Sequence, residues 1–228
     1  EQELFEDLKG VIFLNPMHTS EEDGRPKYLP ADEYLSGNVR EKLAIAKRSA
    51  ELHPEDYGEN VRALEAVQPV DLTASEISVR LGATWLTLEI IEEFMFELFS
   101  TPRYCQWNIH VHYAQYTGEW NVEGKSYDRS NVKAYNTYGT GRVNGYKIME
   151  ETLNLRDVRI FDYIEDGNGM KTALLNKKET AIAQGKQELI KQAFADWIWS
   201  DPERREQLTK LYNEKFNSIR PASMTAAT

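Results

Sequence analysis

Along residues 31–99 apolar side chains recur every three to four positions, the spacing that lines one face of an α-helix. Tyr34, Leu35, Val39, Leu43, Ile45 and Ala46 predict a helix from Ala31 to Leu52, with Asp32 as cap and His53-Pro54 as stop. Tyr57, Val61, Leu64 and Val67 predict a second, from Glu55 to Val67, ended by Pro69. Thr73 and Glu76 fit a capping box and open a third helical element carrying Ile77, Val79 and Leu81, with Gly82 as terminator. Ile91, Phe94, Met95, Leu98 and Phe99 form one stripe of a helix from about Thr87 to Phe99. Before these, Gly10–Leu14 reads as a strand or extended segment, and residues 18–30, with Gly24, Pro26 and Pro30, read as a loop.

After Pro102 the period changes from helical to two. Residues 107–113 alternate apolar and polar, and Trp120-Asn121-Val122 returns as a second strand after a turn at Tyr116-Thr117-Gly118. A Tyr-, Asn- and Gly-rich loop spans 124–142. Val143 to Leu153 reads as helix, residues 158–164 as a third strand, Asp166-Gly167-Asn168-Gly169 as a turn and Lys171 to Leu175 as a fourth strand. Asn176 or Thr180 starts a long helix, and Ser200-Asp201-Pro202 restarts a last one. The expected fold class is α+β, mostly helical, with a small antiparallel β-β-α-β-β unit in the middle. The expected regions are an acidic helical stretch over 1–102, the α+β unit over 103–175, a C-terminal helical pair over 176–221 and a disordered tail over 222–228.

Charge sharpens these regions. The 228 residues carry 27 Lys+Arg and 37 Asp+Glu, a net charge of −10. Residues 1–100 hold 9 basic and 21 acidic side chains, residues 101–170 hold 8 and 9, and residues 171–228 hold 10 and 7. The acidity therefore belongs to the first hundred positions, whereas a freestanding basic nucleic-acid binder carries net positive charge. The composition excludes collagen, a low-complexity chain and a disulfide scaffold. No run approaches the apolar length of a membrane span, so no membrane association is expected. With a single cysteine, Cys105, the expected compartment is the reducing cytoplasm.

Most candidate chemistry has a plainer reading. His110 and His112 share a strand face, as two metal ligands would, or as two polar side chains facing solvent. Glu92-Glu93 and Glu150-Glu151 are adjacent on helices and diverge, which suits solvated faces better than an acid–base pair. Residues 73–99 have the length of a helix-turn-helix, yet the second helix displays Glu89, Glu92, Glu93 and Glu97 and no Lys or Arg, which favours a packing hairpin. Cys105 reads as a small buried hydrophobe. No catalytic residue, metal or cofactor is expected.

The loop from Gly124 to Arg142 is more suggestive. Lys125, Arg129, Lys133 and Arg142 face one acid, Asp128, and Tyr127, Tyr135 and Tyr138 are interleaved. Cations that hold phosphate beside aromatics that stack on bases suit single-stranded nucleic acid. The candidate binding residues are Lys125, Arg129, Lys133, Tyr135, Tyr138 and Arg142. Gly139-Thr-Gly141 could offer backbone N–H groups to an anion at the following helix start. The alternative is an ordered loop whose tyrosines cover the core.

Several blocks taken together, Leu8–Pro16, Ala31–Leu43, Val79–Trp85, Tyr138-Gly-Thr-Gly-Arg142, Leu153–Asp162, Leu175-Asn-Lys-Lys-Glu-Thr180 and Tyr212–Pro221, resemble an internal region of the very large DNA methylase–helicase proteins of bacterial conjugative elements and phages. The resemblance covers about residues 8–221 and implies an adenine-methyltransferase-like domain upstream and an SNF2-like helicase downstream. Their catalytic motifs do not carry over. Asn15-Pro16 is followed by Met17-His18 rather than Pro-Tyr or Pro-Phe, the ATPase Lys loop is absent, and Asp32-Glu33-Tyr34 lacks the apolar strand that precedes a helicase acidic box. After Pro221 the sequence leaves the family, as a truncated or rearranged frame would. The resemblance implies a non-catalytic nucleic-acid-associated domain that positions DNA or couples the flanking engines, its partner a nucleic acid or a nucleic-acid-processing protein. The alternative is a freestanding phage or plasmid inhibitor, of the anti-CRISPR or anti-restriction type, whose acidic surface binds a host defence nuclease.

Overall fold

A computed structural model of the protein describes residues 7–20, 22, 24–165, 167 and 169–222. In chain order its elements are β1 (Ile12–Leu14), β2 (Tyr28–Pro30), α1 (Ala31–Tyr34), β3 (Gly37–Asn38), α2 (Val39–Leu52), α3 (Pro54–Ala66), α4 (Leu88–Phe99), α5 (Arg103–Gln106), β4 (His110–Ala114) and β5 (Glu119–Glu123). A π-helical turn (Lys133–Thr137) follows, then α6 (Gly145–Leu153), β6 (Phe161–Glu165), β7 (Lys171–Leu175), α7 (Lys177–Ile198), α8 (Pro202–Phe216) and β8 (Ile219–Arg220). The fold is α+β, mostly helical, with small two-stranded antiparallel sheets.

Packing divides the chain into two compact units, Glu1–Ile77 with Thr209–Thr228, and Ser78–Leu208. Composition suggested other lines, at 102/103 and 175/176. Residues 78–102 group with the β4–β5 hairpin because α4 shares its core, and the stretch from Thr209 groups with the N-terminal residues. The expected disordered tail lies outside the described residues from position 223 on, as do two positions of the turn at 166–169.

In the first unit β1 and β2 pair antiparallel, with Phe13 opposite Leu29. Phe13 stacks on Tyr34 at 5.0 Å, and Val39, Ala46 and Leu64 complete the buried cluster. Asn60 is buried because its amide is used twice, donating to Leu14 O at 2.8 Å and to the Tyr34 hydroxyl at 2.9 Å. The helix expected from Ala31 to Leu52 is broken in two. Gly37 takes φ +71°, and Asn38 restarts the helix by accepting the Glu41 N–H. The helical element expected after Asp71 does not form. Glu76 makes one of the two contacts of a capping box, accepting the Thr73 N–H at 2.8 Å, but the Thr73 hydroxyl donates to the same carboxylate at 2.7 Å, the Glu76 N–H goes to Thr73 O instead, and the chain only turns there. The apolar positions that follow, 77, 79 and 81, alternate, and that is an extended pattern rather than a helical one. Residues 73–99 therefore hold one helix, α4, and no helix-turn-helix.

The second unit is built on α4. Ile91, Phe94, Met95 and Phe99 are buried along it, with Phe94 edge-on to Phe194 at 5.1 Å and Phe99 edge-on to Tyr146 at 4.7 Å. Each fully buried ring or branched chain contributes roughly 1.5–3 kcal/mol. Ser100, at φ 49°, ends α4 with Thr101 N–H donating to Phe96 O at 2.9 Å. The β-β-α-β-β order holds, but the four strands make two separate hairpins, β4–β5 and β6–β7. The strand expected from residue 107 begins only at His110, because Arg103–Gln106 winds into a helical turn that ends at Trp107. The strand expected from residue 158 begins at Phe161. Residues 158–160 are held by side chains of α7 instead: Gln187 Oε1 accepts the Val158 N–H at 3.2 Å and Thr180 Oγ1 accepts the Ile160 N–H at 2.9 Å. Asn176 starts α7 by accepting the Glu179 N–H at 3.0 Å.

Candidate nucleic-acid interface

The loop after β5 begins at Gly124, where φ is +70° and a Cβ would lie 1.8 Å from Asn108 O. Only glycine lets the loop lie this close to the segment between α5 and β4. The loop is then pinned from below by Asp128. Its carboxylate is 1 % exposed, accepts the Tyr146 hydroxyl at 2.8 Å and also accepts the Asn131 amide. Asn131 also donates to Phe99 O at 2.9 Å and accepts the Ala134 N–H at 3.1 Å, starting the π-helical turn. The Tyr146 hydroxyl also meets Thr101 Oγ1 at 2.6 Å. Burial pushes the Tyr146 phenol well above its usual range, and the hydrogen bond to Asp128 adds to that. The one acid between Gly124 and Met149 thus points inward, leaving the surface of this loop to its cations.

The six residues expected to bind are not equivalent. Lys125 is drawn to Glu150, and also donates to Val122 O at 2.6 Å. Glu150 was expected on a solvated face. It is buried instead, accepting the Val122 N–H at 2.9 Å and Lys147 Nζ at 2.6 Å. Burial alone would raise its pKa, but Lys125, Lys147 and the Val122 N–H outweigh it and hold the carboxyl below the usual value. Tyr135 and Tyr138 are half-buried against the core, Tyr138 5.9 Å from Phe99, as the core-covering reading of the loop has it. Arg142 is exposed but engaged, with Nη1 2.8 Å from Asp162 Oδ1 and Nη2 2.9 Å from Phe161 O. Arg129 and Lys133 are exposed. Each makes one neutral contact, Arg129 with Ser126 O at 3.1 Å and Lys133 with Ser100 Oγ at 2.8 Å.

The other candidates settle into structural roles. Around Gly139-Thr-Gly141 the Thr140 hydroxyl accepts the N–H groups of Arg142 and Val143 at 3.1 and 3.2 Å, and Asn144 caps α6 by accepting the Lys147 N–H, so those donors are already used. Cys105 is buried, and burial followed by Asp128 raises its thiol pKa, the opposite of what a nucleophile needs. His110 and His112 face solvent beside Glu92 and Glu123, at 3.6 and 3.1 Å. Glu92 accepts the Val111 N–H at 2.7 Å and so ties α4 to β4. Among the described residues the group that gathers three metal-ligand atoms within 4.8 Å is His53, Glu55 and Asp56, all exposed at the start of α3. No helix is long and apolar enough to cross a membrane among the described residues.

Sequence reasoning missed two exposed aromatics beside this loop, Tyr104 and Trp107. The alternation over 107–113 assigned Trp107 to a strand. The signal that could have found them is the Pro102 that precedes a short polar turn, a helix start rather than a strand start.

The second unit is thus a helical scaffold carrying a cationic, aromatic-lined loop. The chain belongs to the family described as Domain of unknown function (DUF8437), whose model matches residues 80–218 and so takes in all six candidate binding residues of the loop. No curated protein and no solved structure matches the chain.

Proposed function

We propose that the chain is a non-catalytic nucleic-acid-associated module, of the methylase–helicase class its sequence resembles, that positions nucleic acid for flanking catalytic domains. The observation that carries this is the inward turn of Asp128, which leaves Arg129 and Lys133 as exposed cations on a chain of net charge −10. A short single-stranded oligonucleotide titrated against residues 1–228 at several salt concentrations tests it. Affinity is expected to fall with salt, with a slope of about −0.7 per phosphate contact. Arg129→Ala with Lys133→Ala should weaken binding and flatten that slope. Binding that ignores salt, or its absence at low salt, refutes the module reading.

A second reading, a freestanding inhibitor of a host defence nuclease, is favoured by the acidic first unit. On α3, Glu55, Asp56 and Glu65 are exposed and Glu59 is half-buried, against one cation on that helix, Arg62. Such a face would compete with nucleic acid for a basic channel. Direct capture of a CRISPR effector or a restriction enzyme by the intact chain, displaced by the nuclease's own nucleic acid, would support this reading over the first.

A further inference from the structure

Tyr104, Trp107 and Tyr127 are large rings left 72 %, 82 % and 63 % exposed, whereas the other aromatics of their unit are buried or half-buried except Tyr116, Phe161 and Tyr163. Tyr104 and Trp107 lie three positions apart on and just after the turn of α5, the spacing that puts two side chains on one face. Tyr127 belongs to the neighbouring loop. Its carbonyl lies 3.9 Å from Cys105 Sγ, on the same turn, and Lys133 reaches Ser100 at 2.8 Å. Segments 100–109 and 124–133 therefore run side by side, a flank along which all three exposed rings lie.

The charge of that flank is one-sided. From Leu98 to Gly118 the only Lys, Arg, Asp or Glu is Arg103, and it is exposed. From Gly124 to Arg142 the only acid is the buried Asp128. The acids of the helix packed beneath are occupied: Glu89 by its own N–H and Thr87 at the helix start, Glu92 by the Val111 N–H, Glu93 by Arg204 at 3.3 Å, and Glu97 by the Trp197 indole at 2.7 Å. Rings exposed beside Arg103, Arg129 and Lys133, without a competing carboxylate on either segment, match a polyanion that also offers flat faces.

The geometry points to a stacking platform for unpaired bases: Tyr104, Trp107 and Tyr127 take successive bases of a single strand, while Arg103, Arg129 and Lys133 hold its phosphates. This rests on the nucleic-acid reading above and narrows it to single strands, because bases stacked within a duplex cannot open a face to these rings. It also moves the contact surface away from Tyr135, Tyr138 and Arg142, which the fold already uses. None of the three rings is packed in the core, so removing them leaves the scaffold intact.

The test uses the full chain and two probes, an oligothymidylate of about 12 nucleotides and a blunt duplex of equal length. Trp107→Ala and Tyr127→Ala are each expected to weaken single-strand binding roughly 5- to 100-fold, with Trp107→Phe retaining most of it and duplex binding unmoved. Quenching of Trp107 fluorescence on binding, absent in Trp107→Phe, gives a second readout independent of affinity. Thermal unfolding of each variant at the parent's temperature excludes misfolding as the cause. If Trp107→Ala and Tyr127→Ala bind the oligothymidylate as the parent does, while Arg129→Ala with Lys133→Ala does not, the platform is wrong and the electrostatic module stands. If neither probe binds at low salt, both fail. If anionic phosphatidylserine vesicles bind and the oligothymidylate does not, the rings serve a membrane surface and the platform is again overturned.

Discussion

The two hairpins of the second unit have equal strand lengths and opposite fates. In β4–β5 the cross-strand pairs alternate strictly. Val111 faces Val122 and Tyr113 faces Trp120 on one side, and His110 faces Glu123 and His112 faces Asn121 on the other. Val111, Val122 and Trp120 are buried, with α4 lying on β4 and α6 on β5. In β6–β7 the apolar residues fall on both sides: Phe161, Tyr163, Leu175 and Ala173 on one, Ile164 and Leu174 on the other. No residue of this second hairpin is buried. It is held at its base by Arg142 on Asp162 and by the Asn176 amide on Asp162 at 2.8 Å. A hairpin is buried because one face is consistently apolar and a helix is available to cover it, and apolar content alone does not achieve this.

The sharpest way to break the comparison is one charge placed in each hairpin. Val122→Asp puts a carboxylate in a site of 0 % exposure and should cost at least about 4 kcal/mol, abolishing cooperative urea unfolding of the second unit. Ile164→Asp, at 57 % exposure, should shift the transition by no more than about 0.5 kcal/mol. Equal costs would mean that β6–β7 is covered in solution.

A smaller effect concerns the polar root of β5. The Glu150 carboxyl sits below its ordinary value in the folded chain, so its contribution is present above about pH 4.5 and is lost as pH falls through the folded-state pKa. The parent should therefore lose stability on acidification below pH 4.5 more steeply than Glu150→Gln, which at neutral pH should already be weaker by about 1–3 kcal/mol. Urea midpoints measured across pH for both proteins check the sign. Parallel curves would remove Glu150 from the account.

A small effect, of the same order as that of Ile164→Asp, is expected from Arg142→Ala. Its ion pair is about half exposed and should be worth about 0.2–1 kcal/mol. Amide exchange should accelerate in β6 and β7 and stay unchanged in β4 and β5. Acceleration in both hairpins would show that Arg142 supports the whole unit.

Much of this contrast is visible in the chain itself, and its limits have physical causes. The alternation of His110–Ala114 and Glu119–Glu123 announces a half-buried hairpin, whereas in β6–β7 apolar residues on both strand faces leave no single apolar face for a helix to cover. The stripe on α4 and the Asn176 and Pro202 starts of the last two helices are equally plain. The break at Gly37 is not, because a glycine inside a periodic run becomes a break only when its backbone adopts positive φ. The capping-box pair Thr73 and Glu76 misled for a related reason. A cap satisfies the first N–H groups of a turn, but a helix needs an apolar stripe to continue it. Among the candidate residues, net charge located the loop, but it gave Lys125 and Arg142 the same weight as Arg129 and Lys133. Distant partners, Glu150 and Asp162, separate them.

By itself the sequence determined the class of fold, the positions of most helices and hairpins, and the loop where cations and tyrosines gather, because periodicity, caps and local charge are properties of neighbours along the chain. Only the tertiary structure decided which of those side chains remain available. It buried Asp128 beneath Tyr146, bound Lys125 to Glu150 and Arg142 to Asp162, packed Tyr135 and Tyr138 against the core, and brought Tyr104 and Trp107 beside Tyr127. Exposure and pairing arise from contacts between residues 18 to 33 positions apart, and no local pattern encodes them.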